Sequence, residues 1–180
     1  MKKKILIVLV SFLGGMGLLR AQESSLGIKA GVNFSTLTGD GFEGLDSKTG
    51  YHFGIVGELG ISEKFSIQPE VLYSTQGAES EDVDFDINYL NVPILAKIYF
   101  LRNISFQVGP QFGYVTDQSG DGFDLANVDL KDYDLSGAAG VEVKFKSIFL
   151  QGRYNFGLSD VTDSGTKNAV FQFSVGYNFL

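Results

Sequence analysis

Apolar and polar positions alternate along most of the chain. Leu26, Ile28, Ala30, Val32 and Phe34 share one face of an early segment, with Lys29 and Asn33 on the other. Near the far end Ala169, Phe171, Phe173, Val175, Tyr177 and Phe179 form an apolar row against Gln172, Ser174 and Asn178. Successive side chains of a strand point to opposite faces, so period two is a β signal. The pattern predicts eight strands, at 25–35, 50–61, 65–77, 86–100, 104–116, 133–146, 148–157 and 168–180. The gaps alternate in length. Residues 62–64, 101–103 and 147 read as tight turns, while 36–49, 78–85, 117–132 and 158–167 read as long loops rich in Gly, Asp and Ser.

Alternation alone does not fix which face meets oil. A soluble lipocalin-like barrel turns its apolar row inward, and here that would give a cavity lined by Phe53, Ile55, Val71 and Ile94. Three features favour the inverse. The strands approach the roughly 9–11 residues that a tilted membrane strand needs, above the usual mode of about 5–6. The aromatics fall into belts, which suits Tyr, with its ring in oil and its hydroxyl in water. Tyr51, Tyr73, Tyr114, Tyr133 and Tyr154 lie on the apolar row near the long-loop end, and Phe65, Phe100, Phe145, Tyr177 and Phe179 near the other. The polar row, finally, carries Glu58, Glu70, Lys97, Glu142, Lys144 and Arg153, with Gln68, Gln107, Gln111 and Gln151 among them. The expected fold is all-β: an eight-stranded antiparallel up-and-down transmembrane β-barrel, with short turns on one side and long loops on the other. The interior of such a barrel is just wide enough for side chains to fill. Three acids and three bases there should pair, because unpaired buried charge is costly. That predicts a closed polar lumen; the sharper alternative is a narrow ion or proton path.

The N-terminus adds an address. Lys2, Lys3 and Lys4 precede an apolar run from Ile5 to Leu19, followed by Arg20, Ala21 and Gln22. Basic, apolar and small-residue regions in that order read as an export signal over residues 1–21, leaving a barrel domain at 22–180. The run is short for a membrane helix, and Gly14, Gly15 and Gly17 weaken it as one. Four of the 14 basic residues precede residue 22, which leaves 10 against 21 acids, a net of −11. That balance argues against nucleic acid, whose phosphates need basic surfaces. The absence of Cys excludes disulfides, thiol catalysis and a lipidated cysteine.

Candidate chemistry concentrates in the long loops, where function commonly resides. With the strand-end Asp86 and Asp134 included, the long-loop side holds 16 of the 21 acids against three bases, Lys48, Lys131 and Lys167. The short turns carry Lys64, Arg102 and Lys146 with one acid, Glu63. Such loops can stay solvated, bind divalent cations that bridge to lipopolysaccharide, or meet a basic partner. Asp82-Val-Asp84-Phe-Asp86 resembles the start of a calcium loop, but the sixth and twelfth positions are Ile87 and Pro93, not Gly and Glu. Gly39-Asp-Gly41-Phe-Glu-Gly44 spells a dinucleotide fingerprint without the βαβ unit it requires. No cofactor is expected. The lone His52 points inward near the long-loop end, with Ser74 as cross-strand neighbour and Glu70 or Glu58 below. A His–Ser–Glu set there would make a barrel enzyme acting on lipid A or peptide. The favoured reading is not an enzyme.

Four stretches resemble a known family. They are Gly27-Ile-Lys-Ala-Gly-Val-Asn-Phe-Ser35, Tyr89-Leu-Asn-Val-Pro-Ile-Leu-Ala-Lys-Ile-Tyr-Phe100, Gln107-Val-Gly-Pro-Gln-Phe-Gly-Tyr114 and Gln151-Gly-Arg-Tyr-Asn-Phe-Gly-Leu-Ser-Asp-Val161. In order and spacing they are similar to the PorT-like outer membrane β-barrel domain family of Gram-negative bacteria, across the whole barrel region. The resemblance implies an outer-membrane location, contact with membrane lipid and lipopolysaccharide, and insertion by the barrel assembly machinery. It assigns little activity. The terminal Tyr177-Asn178-Phe179-Leu180 fits the aromatic ending that this machinery commonly recognises, with one extra Leu. Pro93, mid-strand, cannot donate to the ladder and is expected at a bulge. The resulting expectation is a small outer-membrane barrel with a polar, closed lumen, whose acidic loops serve surface interaction or stabilise the outer leaflet.

Overall fold

The computed structural model describes residues 24–38, 46–80, 83–121, 133–158 and 167–179. The expected export signal at 1–21 lies outside them. Eight strands follow in order: β1 (Ser24–Thr38), β2 (Asp46–Ser62), β3 (Phe65–Ser80), β4 (Val83–Leu101), β5 (Ile104–Asp121), β6 (Tyr133–Phe145), β7 (Ile148–Gly157) and β8 (Lys167–Asn178). Each pairs antiparallel with its neighbour in sequence, and β1 pairs with β8 to close the barrel. Closure leaves no unpaired edge, which is what lets a sheet stand in lipid.

The apolar row faces outward. Phe53, Ile94, Phe106, Phe112, Phe173 and Val175 are all exposed, while Gln68, Glu70, Lys97, Gln107 and Arg153 are buried. The lipocalin-like alternative therefore fails on geometry. Phe53 and Ile94, expected to line its cavity, are 52% and 44% exposed on the outer wall.

Three connections are two-residue turns, at Glu63–Lys64, Arg102–Asn103 and Lys146–Ser147. The β6 strand ends at Phe145 rather than residue 146, because Lys146 takes a left-handed backbone, φ 56°, and belongs to the turn. The expected long loop at 78–85 is instead the continuation of a hairpin: Glu79 pairs with Asp84 and Ser80 with Val83. Strands β2 and β5 also run further than the alternation indicated, to Asp46 and Asp121. The bulge expected at Pro93 is not there. Pairing keeps one register on both sides of it, from Pro69↔Ile94 to Leu72↔Asn91. The shifts against β5 fall at Asn88/Tyr89 and Tyr99/Leu101 instead.

Candidate functional site

The lumen is organised around two charged clusters. Glu70 on β3 accepts two bonds from Arg153 on β7, Nη1 to Oε2 at 2.9 Å and Nη2 to Oε1 at 2.6 Å. Lys29 Nζ on β1 lies 2.8 Å from Glu70 Oε2, and Gln68 Nε2 donates to Glu70 Oε1 at 2.6 Å. All three charged side chains are completely buried. In a ring of eight strands β3 and β7 are diametrically opposed, so the Arg153–Glu70 fork crosses the full width of the lumen. The planar guanidinium matches a carboxylate bidentately, which fixes orientation as well as charge.

The second cluster crosses the other diameter, from β2 to β6. Lys97 Nζ donates to Glu58 Oε2 at 3.0 Å and to Glu142 Oε1 at 2.6 Å. Ser66 and Tyr99 donate to Glu58 Oε1, and the Lys97 ammonium sits 5.3 Å from the Tyr99 ring centre. Glutamines join the two clusters. Gln107 donates to Glu142 Oε2 at 2.9 Å and accepts from Gln151 at 2.7 Å, while Gln151 accepts from Lys29 at 2.7 Å. Of the six expected lumen residues, five therefore stand in this buried network. Lys144 stands at its edge, 3.8 Å from Glu58 with its side chain 28% exposed. Lys29 was not counted among the lumen charges, although the alternation placed it on the polar face. It supplies a fourth base.

Toward the long loops the network around His52 is built from neutral side chains. Asn33 Nδ2 donates to the carbonyls of Tyr51 at 3.1 Å and Thr75 at 2.8 Å, and to Ser74 Oγ at 2.9 Å. That leaves Asn33 Oδ1 as an acceptor, facing His52 Nδ1 at 2.7 Å. His52 Nδ1 must then carry the hydrogen, and Nε2 accepts from the Ser174 hydroxyl at 2.7 Å. The His–Ser–Glu set of the alternative enzyme reading does not assemble. Ser74 does pair with His52 across the strands, but its hydroxyl bonds Asn33 and Gln76. Glu70 and Glu58 are taken by Arg153, Lys29 and Lys97. The serine on His52 is Ser174, which alternation placed on the polar face of β8 without indicating its partner.

Asp134, counted with the loop acids, is instead buried in the barrel, accepting from Ser136 Oγ at 2.8 Å. The five tyrosines Tyr51, Tyr73, Tyr114, Tyr133 and Tyr154 all lie on the outer face. Tyr114 and Tyr133 approach with centres 5.4 Å apart, Phe53 and Tyr73 at 5.5 Å, Tyr154 and Phe171 at 4.7 Å. Most of the acidic loop residues, including Asp40, Glu43, Glu81, Asp82, Asp124, Asp129, Asp132, Asp160 and Asp163, lie outside the described residues.

An outward apolar wall around a charged, hydrogen-bonded interior, closed on itself by eight antiparallel strands, defines a membrane β-barrel. Residues 20–163 match the model of the outer membrane protein beta-barrel domain, and the chain belongs to that family. Its fold is shared by Ail, the attachment invasion locus protein of Yersinia pestis. That superposition has a TM-score of 0.59 at 17% identity, covering 88% of this chain and 100% of Ail. Neisserial surface protein A superposes with a TM-score of 0.58 at 11% identity, again over 88% of this chain and 100% of the other. A further Ail structure, in complex with the heparin analogue sucrose octasulfate, gives a TM-score of 0.56 at 15% identity and the same coverage, 88% and 100%. No curated protein matches the chain in sequence.

Proposed function

We propose that this chain is a small outer-membrane barrel of the PorT-like group with a closed lumen. In this reading its acidic external loops either bind divalent cations that bridge to lipopolysaccharide or receive a basic partner. The single observation that carries closure is the crossing of both lumen diameters by buried, bonded charge, Arg153–Glu70 and Glu58–Lys97–Glu142. An ion passing through would have to break one of these pairs and separate charges that are costly to leave unpaired when buried. The outward tyrosines form an aromatic belt at the outer interface. Export by the signal at 1–21 and insertion by the barrel assembly machinery bring the barrel to its membrane.

The loop assignment rests on charge. Ail has been crystallised with a polyanion; the long-loop side here holds 15 acids, between strands and at strand ends, once the buried Asp134 is set aside, against three bases. That favours cations over sulfated sugars as ligands. The test replaces Asp40, Glu43, Glu81, Asp82, Asp124 and Asp129 by their amides. The unaltered barrel should bind calcium in titration calorimetry, and its deletion should make cells more permeable to hydrophobic dyes. The amide variant should lose both effects. Equal calcium binding and dye exclusion in all strains would count against the loop reading. Unit conductance of the purified protein in planar bilayers would count against closure.

A further inference from the structure

The short-turn mouth of the barrel opens as a polar vestibule of about 560 Å³, inside the range of small-molecule pockets, roughly 300–1,000 Å³. Glu58 and Lys144 line it within, and Arg102, Lys146 and the single acid Glu63 line its rim. Backbone bonds tie the rim together. Lys144 N donates to the Asn103 carbonyl at 2.8 Å, which joins the β4–β5 turn to the end of β6. Tyr99 N donates to the Lys64 carbonyl at 2.9 Å, which joins the β2–β3 turn to β4. The cations therefore stand on backbone that is already fixed, and a ligand does not have to order a loop to meet them.

The fold leaves these cations largely unanswered. Glu58 is satisfied from deeper in the lumen, Oε1 by Ser66 and Tyr99 and Oε2 by Lys97 at 3.0 Å. Lys144 reaches that Oε2 only at 3.8 Å, beyond hydrogen-bond range. Among the described residues no carboxylate pairs with Arg102 or Lys146. The two buried clusters hold four bases (Lys29, Lys97, Lys144, Arg153) against three acids (Glu58, Glu70, Glu142). The rim adds two bases against Glu63. Two positive charges are thus in excess at this end; Asp134 lies toward the other. A concave site of one sign concentrates counter-ions. A phosphate monoester matches the excess, with a charge of about −1.5 to −2 at pH 7 and three acceptor oxygens. The planar fork of Arg102 can take two of those oxygens, and the lysines supply point charges. A single carboxylate brings half the charge. We infer that the vestibule is a binding site for a phosphate group, held by Arg102 and Lys146 at the rim and by Lys144 within. The site lies at the opposite end from the acidic loops and is independent of what they bind.

The test is a titration of inorganic phosphate, at constant ionic strength, into isotope-labelled barrel in maltoside micelles. The backbone amides of Arg102, Asn103, Lys144 and Lys146 should show saturable shifts. Shifts that do not saturate, or that chloride alone reproduces, overturn the inference. Acetate should bind about tenfold more weakly or worse, because it offers fewer charge-assisted bonds; equal binding overturns the phosphate assignment. Arg102→Gln combined with Lys146→Gln should weaken phosphate binding by about tenfold or more for the same reason. Both residues are exposed, so heat-modifiable migration should be unchanged. Lys64→Gln, on the turn whose lysine does not line the vestibule, should bind as the wild type does. A double variant that binds equally well overturns the inference, and should it not fold, the wild-type titration decides. Nanodiscs identify the source. A lipid headgroup in the site gives the shifts in discs containing phosphatidylglycerol before any phosphate is added. A soluble ester gives them only on titration with glycerol phosphate. Shifts in neither arm overturn the site.

Discussion

Glu70 is the residue on which most of the lumen network converges, accepting from Arg153, Lys29 and Gln68 in a fully buried setting. Removing its charge strands two cations at once. Glu70→Gln should lower the unfolding free energy by about 3–5 kcal/mol, the usual cost of orphaning a buried charge. This can be read by urea titration in detergent with heat-modifiable gel migration as the fold reporter. Adding Lys29→Met should return part of the loss, because one of the two stranded charges is then gone. An unchanged midpoint in Glu70→Gln would show that the network contributes nothing to stability. The identity of these charges was legible in the sequence, since period two assigns each one to the inner row. Their partners were not. Arg153 and Glu70 are 83 positions apart and meet only because the closed ring sets β7 opposite β3. For the same reason Ser174 could not be named as the partner of His52, nor Lys29 as that of Glu70.

At the scale of the strand, glycines decide how closely neighbours approach. At Gly31 an added Cβ would sit 1.9 Å from the Phe173 carbonyl oxygen and 2.7 Å from His52 Cε1. The obstacle is backbone on the β1–β8 seam that closes the barrel, so it cannot swing aside. Gly31→Ala should therefore destabilise the barrel by about 1–3 kcal/mol, the range for overpacking, and slow its appearance as the heat-modifiable form. Gly152→Ala is the matched control. It lies on β7, on the other side of β8, and its Cβ would meet nothing nearer than Phe173 Cε1 at 3.8 Å, so the change should stay within about 0.5 kcal/mol. Equal behaviour of the two variants would refute the seam as a tight spot. All eight strands were readable because oil on one side and a polar interior on the other impose strict alternation. Their ends were not. In Asp46–Thr49 and Glu79–Ser80 the ladder continues while the contrast between rows fades, and such polar runs read as loop; Val83–Asp86 keeps the alternation and is the start of β4, as its alternating acids indicate.

For the whole molecule the outer wall has a depth profile that substitutions can measure. Phe173 lies mid-strand on β8, faces outward and pairs with Val32 and Gly152. Tyr51 lies on the same wall near the long-loop end of β2. A lysine at the hydrocarbon midplane costs about 2–4 kcal/mol, and one near the interface about 0–1. Phe173→Lys should thus be severely destabilised in liposomes, while Tyr51→Lys should be nearly neutral, its long stem carrying the ammonium to the headgroups. Comparing refolding equilibria of the two variants in liposomes and in detergent makes the argument specific. Detergent offers no bilayer of fixed thickness, so the difference between the variants should shrink there. If both lysines were tolerated in liposomes, the apolar wall would not be meeting lipid. If Tyr51→Lys were the costlier, the tyrosines would lie deeper than a belt, and the assignment of the long-loop end to the outer surface would have to move with them.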